Sequence, residues 1–123
     1  MANILVVDDS DTARLVISHI LQRDQHTIYQ ANDGTVAKKI LQTEVIDLLV
    51  TDIYMEEMGG IELVAWLRQS SNSPHLPVIM LTASGEDDGQ LTRKTHQADA
   101  ILTKPVSSWE LTALTNQLLG ASI

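Results

Sequence analysis

The chain has 123 residues, of which 44% are hydrophobic, enough to build the core of one domain of ordinary size. Its lack of cysteine excludes disulfides and thiolate metal sites, and its formal net charge of −8 at pH 7 disfavours direct binding of nucleic acid. No apolar run approaches the ~20 residues that span a membrane, and residues 1–9 lack the basic segment of a signal peptide, so we expect a cytoplasmic protein without membrane contact.

The first half of the chain alternates strand and helix patterns. A continuous apolar run predicts a buried strand over residues 3–7, and apolar residues at helical spacing predict a helix over about 11–23. A weaker strand pattern covers 27–31, and Asp33 is a plausible N-cap for a second helix. A run of mostly apolar and β-branched residues over 46–51 predicts a third strand.

The second half repeats the alternation. Helical spacing covers about 60–69, and a near-continuous apolar strand follows at 77–81. Residues 86–96 form a poor helix pattern with few apolar anchors, before a short last strand at 99–103. A capping-box spacing that begins at Ser107 predicts the start of the final helix.

Five strands that alternate with five helices indicate an α/β domain. Strands that are apolar on both faces belong to a parallel sheet covered by helices on both sides. Right-handed crossovers leave a doubly wound sheet or a barrel, and five units are too few for the eight-fold barrel. We therefore predict one doubly wound domain over residues 1–123, with a ligand site beyond the carboxyl ends of the strands.

Polar side chains stand at the predicted carboxyl ends of four strands. Asp8 and Asp9 follow the first strand, Asp52 the third, Thr82 the fourth and Lys104 the fifth. Any one of them alone would be an ordinary cap or a solvated surface residue. Two carboxylates about 5 Å apart repel by roughly 3 kcal/mol at an effective dielectric near 20. Three acids at one edge therefore favour a hard divalent cation, and with the lysine they predict a site for a phosphoryl group.

Four motifs resemble those of response-regulator receiver domains of two-component signalling. They read VVDDSDTAR, LLVTDIYM, LTAS and ILTKP, and their order and spacing match across essentially the whole chain. The resemblance implies a flavodoxin-like fold with the strand order 2-1-3-4-5. It also implies a phospho-acceptor domain that catalyses only its own phosphorylation and dephosphorylation.

The resemblance also assigns roles to the residues at the sheet edge. Asp52 would accept the phosphoryl group from a sensor histidine kinase or a histidine phosphotransfer protein. Asp9, Asp52 and the backbone carbonyl of Tyr54 would bind Mg²⁺, or Mn²⁺ in its place, and Asp8 would act through water. Lys104 would pair with a phosphoryl oxygen.

Further residues would carry the signal away from the site. Thr82 and Ala83 would bind the phosphoryl group in the active state, and Pro105 would follow a cis peptide bond. Ile101 stands at the switch position, and the weakly anchored segment 84–97 should reorder on phosphorylation. The face made by the fourth helix, fifth strand and fifth helix would control an unidentified downstream protein, from a monomer or a phosphorylation-dependent dimer. Alternatively, the chain is one receiver of a longer protein.

Several positions depart from the family's usual pattern. Glu56 and Gly59 stand where the loop after the acceptor commonly has Pro and Asp, which predicts a more flexible, more acidic loop and altered metal binding. Ile101 replaces the usual aromatic residue, so it would signal only by packing. We also expect the bulky Tyr54 to shield the acyl phosphate from water.

Two other functions are compatible with an acidic α/β domain but fit less well. A phosphatase of the dehalogenase type usually has its nucleophile on the first strand and a second acid two residues later, where this chain has Tyr54. A flavodoxin-like FMN carrier needs a neutral loop rich in glycine and hydroxyl groups after the first strand. The corresponding residues 8–12 read DDSDT, whose acids repel phosphate.

Overall fold

The structure is a computed structural model that describes residues 1–83 and 97–120. The elements in chain order are β1 (Asn3–Val7), α1 (Asp11–Arg23), β2 (Thr27–Ala31), α2 (Gly34–Thr43), β3 (Leu48–Asp52), α3 (Gly60–Ser70), β4 (Val78–Ala83), β5 (Ala100–Lys104) and α4 (Ser108–Gly120). The described residues thus hold four helices. The weak helix predicted over 86–96 lies outside them, as does all of the predicted switch segment except Gln97.

The five strands form one parallel sheet in the order β2-β1-β3-β4-β5. This order confirms the predicted flavodoxin-like, doubly wound architecture. The third strand begins at Leu48 rather than at residue 46, because its pairing with β1 starts where Leu48 lies opposite Ile4. Asp47 precedes it, with its carboxylate accepting a hydrogen bond from the Asn3 amide at 2.8 Å. The strand ends on Asp52 itself, one residue later than predicted.

Side chains alternate between two cores, one on each face of the sheet. On β3 and β4, Leu49 and Met80 belong to one core, whereas Val50 and Leu81 belong to the other. All four side chains are buried. Burial on both faces explains why the strands read as continuous apolar runs, and it makes β3 a rigid support for the residue at its end.

Polar side chains cap the first turns of α1 and α2, and the cap of α2 is Asp33, as predicted. Ser10 Oγ accepts a hydrogen bond from the Ala13 amide at 3.2 Å, and Asp33 Oδ1 accepts one from the Val36 amide at 3.0 Å. These caps satisfy helix amides that have no partner within the helix. Among residues 1–83 and 97–120, no helix has the length and apolar character needed to cross a membrane.

The register between β4 and β5 is fixed at their amino ends by one carboxylate. Asp99 Oδ2 accepts a hydrogen bond from the Val78 amide at 2.8 Å and lies 3.2 Å from Arg68 Nη2. Arg68 also donates to the carbonyls of Leu76 and Gln97, at 2.6 and 2.8 Å. Because register determines which residue ends each strand, these contacts place Lys104 opposite Ala83 at the carboxyl edge.

A carboxylate and lysine site at the edge of the sheet

Three strands deliver charged side chains to the carboxyl edge of the sheet. Asp8 follows β1, Asp52 ends β3 and Lys104 ends β5. The Lys104 ammonium lies 2.7 Å from Asp8 Oδ2 and 3.1 Å from Asp52 Oδ2. The edge thus brings together residues more than forty positions apart in the chain, as the strand-end argument predicts.

Asp8 is completely buried, and each of its two carboxylate oxygens has a partner. Its Oδ1 accepts a hydrogen bond from the Ser10 amide at 2.9 Å, and its Oδ2 forms the ion pair with Lys104. Its backbone carbonyl accepts a hydrogen bond from Arg14 Nη1 at 2.7 Å. A buried carboxylate needs such partners because the interior disfavours an isolated charge.

Asp52 is more accessible than Asp8, with a side chain that is 14% exposed. Burial raises the pKa of Asp52, and the repulsion from Asp8 adds to this, while the hydrogen bond and charge of Lys104 act in the opposite direction. Burial by itself would lower the pKa of Lys104, but its bonds to Asp8 and Asp52 outweigh that effect and raise it. The lysine is therefore charged at neutral pH.

The oxygens at this edge suit a hard divalent cation. One carboxylate oxygen each from Asp8, Asp9 and Asp52 lie within 4.8 Å of one another. Three carboxylates and one ammonium leave two negative charges, which a divalent ion would balance. Carboxylate oxygens are the ligands that Mg²⁺ prefers, usually together with waters and phosphate oxygens. The donor set of this site fits that ion.

The remaining predicted site residues lie on the same edge or on β5. Thr82 is buried near the end of β4, and Ala83 is exposed and pairs in register with Lys104. The peptide bond between Lys104 and Pro105 is cis, as the resemblance implies. Ile101 is partly exposed on β5, three residues before Lys104.

The loop between β3 and α3 is closely packed at both ends. Gly60 N–H donates to the Ile53 carbonyl at 2.8 Å, and Gly34 N–H donates to the Met58 carbonyl at 3.0 Å. A Cβ atom at Gly60 would lie 2.1 Å from the Asp52 carbonyl oxygen, so only glycine fits there. The flexibility predicted for this loop stays a prediction. The sequence shows the adjacent glycines Gly59 and Gly60, but it does not show that the Asp52 carbonyl leaves no room for a side chain at Gly60.

The loop is as acidic as its sequence predicts. Glu56 and Glu57 line a cavity of about 310 Å³ together with Asp9, Asp11 and Asp33. Tyr54 precedes these acids, and its side chain is 56% exposed. The approach to the edge from this side is therefore negatively charged, which favours cations and disfavours free phosphate.

Comparison with known proteins gives a family match over most of the chain. The family model described as "Response regulator receiver domain" matches residues 4–116. The alkaline phosphatase synthesis transcriptional regulatory protein PhoP of Bacillus subtilis is 34% identical over 97% of this chain and 49% of its own length. The regulatory protein VanRc of Enterococcus gallinarum is 34% identical over 89% of this chain and 46% of its own length. The chain thus spans about half the length of these curated relatives.

Solved structures agree with the sequence comparison. The chemotaxis protein CheY4 of Vibrio cholerae superposes with a TM-score of 0.88 and 30% identity, covering 96% of this chain and 98% of that one. A putative response regulator from Chloroflexus aurantiacus superposes with a TM-score of 0.89 and 26% identity, covering 97% of this chain and 98% of that one. Both are therefore similar to this chain over nearly their entire length.

Proposed function

Since this chain belongs to the response regulator receiver domain family of two-component signalling, we propose that Asp52 is its phosphoryl acceptor. The observation that supports this assignment best is the position of Asp52 at the end of β3, 3.1 Å from the Lys104 ammonium. A nucleophile there has a rigid support, partial access to solvent and a cation beside it. Asp8, by contrast, is fully buried and has both carboxylate oxygens engaged.

The transfer requires one bond to form and one to break. A carboxylate oxygen of Asp52 attacks the phosphorus of a phosphohistidine, the new P–O bond forms, and the P–N bond breaks. The imidazole leaves with the electron pair of that bond and takes up a proton, and Asp52 becomes an acyl phosphate. Lys104, already held between two carboxylates, pairs with a phosphoryl oxygen and offsets its negative charge.

Mg²⁺ would be held by Asp9, Asp52 and the backbone carbonyl of Tyr54, with Asp8 acting through water, and Mn²⁺ could replace it. The clustered carboxylate oxygens support this assignment. The bound ion would supply positive charge where carboxylate and phosphoryl oxygens meet. Without the divalent ion, the three carboxylates outweigh the single charge of Lys104 and repel an incoming phosphate.

The signal would leave through residues next to the acceptor. Thr82 and Ala83 bind the phosphoryl group in the active state, and Ile101 repacks on the exposed side of β5. A downstream protein is then controlled through β5, α4 and the helix predicted over residues 86–96, from a monomer or a phosphorylation-dependent dimer. The β4–β5 register, which places Ala83 beside Lys104, supports a short route from the acceptor to β5.

The partners follow from this chemistry. A sensor histidine kinase or a histidine phosphotransfer protein supplies the phosphoryl group. The chain acts as a single receiver domain over residues 1–123 and catalyses only its own phosphorylation and dephosphorylation. The curated relatives include transcriptional regulators that are about twice as long as this chain. That this chain controls a downstream protein is therefore also part of the proposal.

Phosphorylation with a small donor tests the assignment. The protein is incubated with acetyl phosphate and Mg²⁺, and its intact mass is measured. We expect one added phosphoryl group on the wild type and none on Asp52→Asn, with Asp47→Asn as a matched control that still gains one. Phosphorylation of Asp52→Asn to the wild-type extent would refute the assignment. Turnover of a phosphate ester would favour the phosphatase, and a bound yellow chromophore would favour the FMN carrier.

A further inference from the structure

The peptide group that joins Asp52 to Ile53 is held on its carbonyl side by two residues. Thr51 Oγ1 donates a hydrogen bond to the Asp52 carbonyl oxygen at 2.9 Å. Gly60 packs against the same oxygen so closely that a Cβ atom would lie 2.1 Å from it. Thr51 is completely buried, so solvent does not offer its hydroxyl a competing partner.

The N–H side of the same peptide group contacts the acceptor carboxylate. Ile53 N–H is shared between Asp52 Oδ1 at 2.9 Å and the Leu81 carbonyl at 3.2 Å. Because a peptide group is planar, the atoms that fix its carbonyl also fix the direction of its N–H. The Thr51 hydroxyl is thereby one of the contacts that orient the Ile53 amide towards the carboxylate.

We propose that Thr51 is a positioning residue for phosphoryl transfer, acting through the Asp52–Ile53 peptide group. The Ile53 amide holds Oδ1, and Oδ2 points to Lys104 at 3.1 Å. With both oxygens held, the carboxylate has one orientation towards the incoming phosphorus, and transfer depends steeply on such orientation. This inference rests on the proposed role of Asp52 as acceptor.

Two substitutions separate positioning from stability. Thr51→Val keeps the shape of the side chain and loses the hydroxyl, whereas Thr51→Ser keeps the hydroxyl and loses a buried methyl group. We expect Thr51→Val to lower the saturating rate of phosphorylation by acetyl phosphate about 10-fold, with little change in the half-saturating donor concentration. Thr51→Ser should keep a rate close to wild type, although it unfolds at a lower denaturant concentration because of the lost methyl group.

A second measurement follows the peptide group without any phosphodonor. In the NMR spectrum of the unphosphorylated protein, the Ile53 amide proton should shift clearly in Thr51→Val and little in Thr51→Ser. The inference is overturned if Thr51→Val is phosphorylated as fast as wild type, or if Thr51→Ser slows as much as Thr51→Val. If wild-type Asp52 takes no phosphoryl group, the proposed function fails, whereas an unmoved Ile53 amide in Thr51→Val overturns the positioning role alone.

Discussion

The Lys104 ammonium lies 3.1 Å from Asp52 Oδ2, although the strands that carry these two residues are not neighbours in the sheet. The strand β4 separates them, and the long lysine side chain reaches across its end. The same ammonium lies 2.7 Å from Asp8, on the far side of β3. One side chain therefore connects three of the five strands at the edge where the acids meet.

Removal of this cation should destabilise the protein. In Lys104→Met, the fully buried Asp8 loses its ion-pair partner, and we expect a loss of about 3 kcal/mol in the free energy of unfolding. Mg²⁺ should recover more stability for this variant than for wild type, because the ion replaces the missing positive charge. Urea denaturation with Mg²⁺ and with EDTA measures both effects.

The control for Lys104→Met is Lys39→Met, which removes the same charge from an exposed position on α2. Its stability should change by less than about 0.5 kcal/mol, as is usual for surface substitutions. Equal losses in the two variants would show that net charge, and not the pairing with Asp8, determines the result.

The stability of the wild type should depend on pH through Asp52. Its pKa is raised in the folded state, so folding favours the protonated acid, and stability falls as pH rises from the ordinary aspartate value of 3.8 through the raised folded value. Asp52→Asn should therefore be more stable than wild type at neutral pH, in the absence of divalent ions. Below the ordinary value the acid is protonated in both states, and the advantage should disappear.

Denaturation curves from pH 3 to 8 would measure this difference, with Glu57→Gln as the control. Glu57 is exposed in the acidic loop, and its substitution changes the net charge in the same way. An Asp52→Asn advantage that stays constant over this range would contradict the raised pKa. The phosphorylation rate should also rise with pH through the folded value, because only the carboxylate form attacks phosphorus.

Gly60 should not tolerate even the smallest side chain. Alanine is the better helix former at the first residue of α3, but its Cβ would lie 2.1 Å from the Asp52 carbonyl. We expect Gly60→Ala to lose about 2 kcal/mol of stability and to slow phosphorylation, because the backbone of the acceptor must move. At Gly120, an added Cβ would meet no other part of residues 1–83 and 97–120 within 4 Å, its own helix turn aside, so Gly120→Ala should leave both quantities near wild type. A stable Gly60→Ala with a normal rate would refute the close packing.

Tyr54 should lengthen the lifetime of the acyl phosphate. Tyr54 is more than half exposed and stands two residues after the acceptor, from where its ring could cover the phosphoryl group. We expect Tyr54→Asn to lose phosphate several-fold faster than wild type, and Tyr54→Phe, which keeps the ring, to match wild type. The decay of the phosphorylated mass after removal of the donor gives both rates. An unchanged lifetime in Tyr54→Asn would count against shielding.

Much of this architecture could be predicted from the sequence, because the strands are buried on both faces and therefore read as apolar runs. The hydrophobic pattern predicted β1 and β2 with the bounds that the structure shows, and it identified Asp33 as the cap of α2. The convergence of Asp8, Asp52 and Lys104 followed from the rule that parallel strands end at one edge. The residues at which strands end were harder to predict from the apolar pattern. Asp52 has a charged side chain, yet its backbone still pairs with Leu81 in the sheet.

Residues that act through backbone atoms could not be found in this way. Thr51 reads as an ordinary β-branched strand residue, and nothing in its neighbours shows that its hydroxyl donates to the next carbonyl. The requirement for glycine at position 60 depends on a contact with a residue eight positions earlier, which only the folded backbone brings near. Similarly, the hydrogen bonds from Arg68 to three backbone carbonyls in two separate segments have no periodic signature.

The acceptor strand β3 lies at the centre of the sheet, bonded along its length to β1 on one side and β4 on the other. Amide protons at the outer strands β2 and β5 should exchange with deuterium through small local openings, whereas those of β3 should exchange only when the whole domain unfolds. Thermal fraying of β2 would then leave the acceptor undisturbed, whereas an opening of β5 would carry Lys104, the cation beside Asp52, away from the site.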